Sequence, residues 1–259
     1  MDKDQKAKVQ EQFSRSAEEY VTSETHAKGN DLTAIVQWLQ PSQQWTVLDV
    51  ATGGGHVVKT LSPYVKQIFA TDLTPQMLST AQKHLETSCK NVSYVVADAE
   101  SLPFLNETFD AVTCRIAAHH FPHPQDFIAE VSRVLKPGNR FLLIDNISPA
   151  DIKLDGFINT LEKLRDESHL RCYSISEWKA WFEEQGLTII KSEKRRKKLE
   201  FPVWVQRTTQ SDKQVKAVVG YVLGADQEKL DYYSVLINDG EIKSIEIDEW
   251  MVMVEKNMN

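Results

Sequence analysis

The 259-residue sequence predicts an α/β fold, an open and mostly parallel sheet with helices on both faces. Three observations carry that expectation. Short apolar runs of strand length alternate with segments whose apolar residues recur at helical spacing. Three successive runs carry an acid at or near their ends: Asp49, Asp72 and Asp98. The first run passes at once into Gly53, Gly54 and Gly55, and a strand that turns through glycines into a helix is how such sheets build nucleotide sites.

The elements follow in order. Lys3 to Gln40 reads as helical with one break, because Val9, Phe13, Ala17 and Tyr20 recur at helical spacing and Leu32, Ile35, Val36 and Leu39 do so again. Tyr20 and His26 are candidate lid residues, with plain packing and capping as the alternatives. Val47, Leu48 and Val50 fit a strand buried on both faces. Val57–Leu61 is a short helix, and Gln67–Thr71 a second strand tipped by Asp72. Thr74 before Pro75 is the expected cap of the next helix. Asn91–Ala97 is the third strand, Phe109–Cys114 the fourth and Arg140–Ile147 the fifth, fed by a Leu135–Gly138 turn. In the second half, Arg165 and His169 would share a helical face, either as a solvated surface or as a polar lid. A helix beginning at Ser176 stops at Gly186, Leu187–Lys191 is strand six, and Asp212–Tyr232 is helical. Glu241–Glu255 follows a turn at Asn238–Gly240 as the last strand. Trp204 is read as core in preference to site.

Composition narrows the function. A net charge of −7 argues against general affinity for nucleic acid or an anionic membrane. The five-residue run Lys194–Lys198 lacks interleaved aromatics and reads as a solvated strand end or edge protection. Cys89, Cys114 and Cys172 match no zinc spacing and are read as reduced thiols of a cytoplasmic protein. No apolar run reaches membrane-spanning length, so no membrane insertion is expected. No metal site is expected.

The glycine turn admits competing readings. In the dinucleotide register, Ala51 and Gly53 take the first two glycine places and His56 falls where a small residue must pack. A P-loop would need Gly-Lys-Ser/Thr, which is missing. The remaining pattern, D-x-A-x-G-x-G from Asp49, resembles the first motif of class I S-adenosylmethionine (SAM)-dependent methyltransferases. Ala51 stands there for a glycine, a mild departure if its φ is negative. The run FDAVTCRIAAHHF (109–121), then LKPGNRFLLID (135–145), is similar to methyltransferases related to quinone-biosynthesis enzymes. The segment FSRSAEEY (13–20) looks like the N-terminal stretch of many small-molecule methyltransferases.

The resemblance implies a Rossmann-like seven-stranded sheet whose antiparallel last strand lies between the fifth and sixth. It implies one domain: a helical lid over 1–41, a SAM-binding half over 42–148, a substrate-covering insertion over 149–235 and the final strand over 236–259. SAM would be the cofactor and S-adenosylhomocysteine (SAH) the product. Asp72 would accept from the ribose hydroxyls and Asp98 from the adenine amino group. Tyr20, Asp49, Ala51, Thr52, Gly53, Gly55, Leu73, Met77, Ala99, Glu100, Arg115, Ile116 and His120 complete the implied cofactor set. Transfer from a sulfonium needs a base only when the nucleophile arrives protonated. His120 is the first candidate base, with His119 and His169 behind it. No asparagine–proline–proline–aromatic signature of nucleic-acid amino methylation follows strand four, so the acceptor is read as a small molecule, quinone-like being one option. The alternatives are a noncatalytic SAM- or nucleotide-binding module and an NAD-dependent oxidoreductase.

Overall fold

The computed structural model describes residues 2–22 and 30–258. Two helices open the chain, α1 (Asp2–Thr22) and α2 (Asn30–Leu39). Strand and helix then alternate: β1 (Thr46–Val50), α3 (His56–Leu61), β2 (Gln67–Asp72), α4 (Pro75–Leu85), β3 (Val92–Val96), β4 (Phe109–Arg115), α5 (Pro124–Val134) and β5 (Leu135–Asn146). The second half contains α6 (Ile152–Arg165), α7 (Ile175–Glu184), β6 (Leu187–Glu200), α8 (Phe201–Gln206), α9 (Asp212–Leu223) and α10 (Gln227–Tyr232). The hairpin β7 (Leu236–Asn238) and β8 (Glu241–Lys256) ends it.

The strand order is β3-β2-β1-β4-β5-β8-β6, with β7 attached to β8. Strands β1 to β5 pair in parallel, and β8 runs antiparallel between β5 and β6, as expected. The chain leaves β1 toward β2 on one side and returns to β4 on the other. The carboxyl ends of β1 and β4 therefore flank the point where the order reverses, which is where open α/β sheets bind ligands.

Alternation along the central strands supplies two cores. Leu48, Val50, Val112, Phe141, Leu143 and Val252 face α5 and α7 through Phe127, Val131, Trp178 and Phe182. Val47, Ala111, Leu142, Ile144 and Met251 point the other way, onto Ile35, Leu39, Val58 and Leu61. A third cluster joins α6, α8 and α9 to the far ends of β6 and β8 through Leu161, Trp204, Val218 and Ile247.

Several elements differ from expectation. The sheet has eight strands, because β8 is 16 residues long and its first half outruns β5 to pair with β6 and the short β7. Strand β6 continues through the whole basic run. Lys194, Arg195, Arg196 and Lys197 reach Glu246, Asp248 and Glu249 on β8, so cross-strand ion pairs extend the strand. Helix α6 ends at Arg165, and the Asp166 backbone turns to an extended conformation, so Arg165 and His169 share no helical face. The helical stretch after Asp212 breaks at Gly224, and Asp226 caps α10 with its side chain. Residue Leu135 already pairs with Phe109, so β5 begins before the expected turn and carries a register shift.

Candidate active site

A cavity opens at the carboxyl ends of β1, β2 and β4. Asp49, Ala51, Thr52, Gly53, Asp72, Leu73, Met77, Asp98, Ala99, Glu100, Arg115, Ile116 and His120 all line it. Gly55 does not. It opens α3 with φ +82°, and a Cβ there would meet Leu85 at 2.6 Å, so its need for glycine comes from turn and packing. The Tyr20 side chain and His26 lie outside the described residues.

Asp49 is buried on β1. Its oxygens accept from Thr113 Oγ1 at 2.6 Å and Thr52 Oγ1 at 2.9 Å, yet burial pushes its carboxyl up to about 6. Asp72 accepts from Gly53 N at 3.0 Å and Thr74 N at 2.8 Å. Burial raises its pKa while those N–H groups oppose the rise. Thr74 stands at the N-cap of α4 as expected, with Pro75 after it, but its side chain makes no capping bond, and its N–H donates to Asp72.

Ala51 corrects another expectation. Its φ is +55°, in the left-handed region. Replacing it by glycine relieves about 1–2 kcal/mol of strain, against about 0.4–1 kcal/mol of added unfolded-chain entropy. Urea unfolding should therefore show Ala51→Gly more stable by roughly 0.5–1 kcal/mol; a less stable variant would show the strain to be absent. Ile116, at φ +54°, is a β-branched residue in the same region, held by its N–H to Ile144 O at 2.7 Å. Such strain costs on the order of 1–3 kcal/mol and gathers at functional sites.

One side of the cavity comes from α1, which supplies Lys6, Val9 and Phe13. Lys6 Nζ lies 2.5 Å from Asp98 and 2.6 Å from Glu100. Burial alone would lower its pKa, but the two carboxylates raise it overall. Gln5 and Gln10 of the same helix donate to Ser168 O and Leu73 O, tying α1 to both halves of the chain. Arg115 pairs with Asp31 of α2 behind the cavity wall.

A second, smaller cavity adjoins the first and shares Phe13, Ile116 and His120 with it. His119 and His120 form a short 3₁₀ turn after β4. The ends of β4 and β5 are adjacent, which brings Asp145 to His119: Nδ1 lies 2.6 Å from Oδ1, and His119 N donates to Oδ2 at 3.0 Å. Burial disfavours the imidazolium, but Asp145 outweighs it and raises the His119 pKa. His120 faces the opposite balance, since burial and the neighbouring His119 charge push it down to about 4. Its Nδ1 lies 3.0 Å from Ser168 O, so Nδ1 carries the proton. His169 lines neither cavity. It is buried, its Nε2 lies 3.2 Å from Asn159 Oδ1, and burial with surrounding cations lowers its pKa strongly. Its geometry is that of a structural residue holding the 166–172 loop.

Arg165, Trp204 and Lys197 also line the second cavity. Arg165 is mostly buried, pairs with Glu162 at 2.7 Å and stacks on Trp204 at 4.5 Å, so the solvated-face reading fails for it. Trp204 belongs to core and site together. Sequence reasoning missed Lys6, Val9, Phe13, His56, Lys197 and Arg207 as cavity residues. The available signals were the Phe13 helix, which also carries Lys6 and Val9, and the glycine turn, which His56 follows; Lys197 and Arg207 arrive through contacts distant in sequence. Among the described residues, no His/Cys/Asp/Glu group is arranged to hold a metal and no helix is long and apolar enough to cross a membrane.

Comparison with known proteins agrees with this geometry. A methyltransferase-domain family model matches residues 48–143. The chain is 36% identical over 227 residues to YcgJ, an uncharacterised methyltransferase of Bacillus subtilis, covering 87% of this chain and 90% of YcgJ. A crystal structure from Bacillus halodurans superposes with a TM-score of 0.86 at 36% identity, over 89% of this chain and all of the other. The ubiquinone/menaquinone biosynthesis C-methyltransferase UbiE of Bartonella quintana is 34% identical over 140 residues, 48% of this chain and 54% of UbiE. With the sheet order, the strand-end acids and these relatives in agreement, the chain belongs to the class I SAM-dependent methyltransferase family.

Proposed function

We propose that this protein binds SAM in the larger cavity and methylates a small molecule held in the smaller one, using His119 as the base. The observation that carries the reading is the meeting of the two cavities at Phe13, Ile116 and His120, with His119–Asp145 beside that junction. The larger cavity fits a cationic nucleoside: four carboxylates line it (Asp49, Asp72, Asp98 and Glu100) against Lys6 and Arg115. Asp72 stands at the strand tip, where ribose hydroxyls find an acceptor.

The bound cofactor supplies a methyl group already activated on a sulfonium. The chain has to align the nucleophile, exclude water and hold the proton that is lost. Phe13 and Ile116 are apolar walls at the junction. His119 is oriented by Asp145 on Nδ1, which leaves Nε2 as the basic nitrogen. His120, at about 4, is too weak a base and serves better in shaping the junction. Residues 1–41 act as the lid, 149–235 cover the acceptor, and 42–148 hold the cofactor. A protein of this kind, with its thiols free and buried, acts in the cytoplasm.

The test is a thermal shift with SAM, SAH and NAD. Each ligand that binds at about a hundred times its Kd stabilises by roughly 2.7 kcal/mol. SAM and SAH should raise the midpoint and NAD should not. A response to NAD alone would replace this reading with an oxidoreductase, and a response to none would leave a fold without its cofactor site.

A further inference from the structure

We propose that the acceptor carries two neutral hydrogen-bond donors on adjacent atoms, as an aromatic or enolic vicinal diol does, and that His119 and His120 each accept from one of them. The proposal rests on the methyltransferase reading with His119 as base, and it names the substrate class of that site. Both imidazoles line the second cavity, and His120 also lines the first. Their ring centroids are 4.3 Å apart. Each ring has its Nδ1 committed to the protein. On His119, Nδ1 lies 2.6 Å from Asp145 Oδ1 and carries the proton. On His120, Nδ1 lies 3.0 Å from Ser168 O and 3.3 Å from Ser168 Oγ. A carbonyl can only accept, and the Ser168 hydroxyl already donates to Asp166 Oδ1 at 2.5 Å, so His120 too carries its proton on Nδ1. Phe13 packs edge-on against the His120 ring at 5.1 Å and holds it in that orientation. In the neutral rings both Nε2 atoms are therefore acceptors, and neither has a hydrogen-bond partner among the described residues.

Two neighbouring acceptors set the chemistry of the ligand. A site that accepts hydrogen bonds discriminates against a molecule that leaves its lone pairs unanswered. A quinone offers no donor. A para-quinol holds its hydroxyls on opposite sides of the ring, too far apart for two imidazoles this close. A vicinal pair meets both at once. Burial and the neighbouring His119 hold the His120 pKa down at about 4, so that ring stays neutral and keeps its lone pair. At His119 burial is outweighed by Asp145, which raises the pKa, so the donor on His119 is the one that loses its proton. Phenolic and enolic hydroxyls give up a proton far more readily than aliphatic ones, a phenol having a pKa of about 10. Trp204, Leu199 and Ile247 wall the same cavity and take the carbon skeleton.

The test is calorimetric titration of the SAH-saturated protein with catechol, resorcinol, phenol and guaiacol. It is run without oxygen and on the alkaline side of the His119 titration, where both rings are neutral. Catechol should bind about three- to tenfold more tightly than each of the others, the margin of one added hydrogen bond. Guaiacol replaces one of the two donors by a methyl ether, and resorcinol moves it one carbon further away. In His120→Asn the margin should vanish, because the shorter amide can keep the bond to Ser168 O but puts nothing at Nε2. In His120→Gln part of the margin should remain, since the amide oxygen can stand where Nε2 stood. Catechol within about twofold of any other probe overturns the proposal, as does binding by none of them. So does a margin that survives His120→Asn, or one that vanishes equally in His120→Gln. SAH binding is measured first in each protein, so a failed cofactor site is seen separately from a failed acceptor site.

Discussion

His119→Asn lowers kcat by about 10²- to 10⁴-fold, the usual contribution of a positioned general base. The measurement is steady-state turnover with whichever small-molecule acceptor supports transfer. Asparagine is the informative replacement because its amide can occupy the Nδ1 position and still donate to Asp145, while the basic Nε2 is gone. Asp145 also keeps its bonds from His119 N and Asn146 N, so no buried carboxylate is orphaned. SAH affinity should be preserved, since His119 lines only the smaller cavity of the two. A loss below about tenfold would assign His119 to structure and leave the nucleophile to arrive without its proton.

The same dyad fixes a pH dependence. Asp145 raises the His119 pKa above its ordinary 6.5, and a base works only when neutral. The rate should therefore climb with pH along a limb whose midpoint lies above 6.5, and proton NMR of the imidazole should titrate with that midpoint. In Asp145→Asn the carboxylate no longer offsets burial. Burial favours the neutral ring, so the midpoint should fall below 6.5 and the limb should move to lower pH. A midpoint unchanged in Asp145→Asn would remove the dyad from the mechanism.

The cofactor half was legible because its signals are local. A strand buried on both faces has to be apolar, a turn of the Ala51–Gly55 kind needs small residues, and an acid at a strand tip sits within a few residues of the turn it serves. The acceptor half was less legible. Lys6 meets Asp98 across 92 positions of sequence, and Lys197 reaches the cavity only because β8 inserts antiparallel beside β6. The helical pairing of Arg165 with His169 failed for a specific reason. The Asp166 backbone leaves the helix, and its side chain forms a turn with Ser168, a local bond that Asp readily prefers to helix. Ala51 shows the converse case: the motif was recognised, yet its backbone angle was misjudged because strain at one position is borne by the fold around it.

Asp72→Ala weakens SAH binding by about 10²- to 10⁴-fold. Two ribose hydroxyls donating to a carboxylate contribute roughly 1.5–3 kcal/mol each, and tenfold in Kd is about 1.4 kcal/mol. The variant also frees Gly53 N and Thr74 N, loosening the glycine turn against which the nucleoside lies. Each variant's thermal shift is compared with its own unliganded midpoint, so a general loss of stability does not imitate a loss of binding. Asp98→Ala is the comparison. In this structure Asp98 Oδ2 is held by Lys6 and Oδ1 by Glu100 N, so an adenine amino group must exchange with the lysine to reach it. The net gain from that exchange is smaller than the gain from an unopposed contact. Asp98→Ala should therefore cost less than Asp72→Ala, and Lys6→Met should tighten SAH binding by ending the competition. Equal losses at the two aspartates, with Lys6→Met weakening SAH, would mean that the lysine stays in place and closes over the adenine.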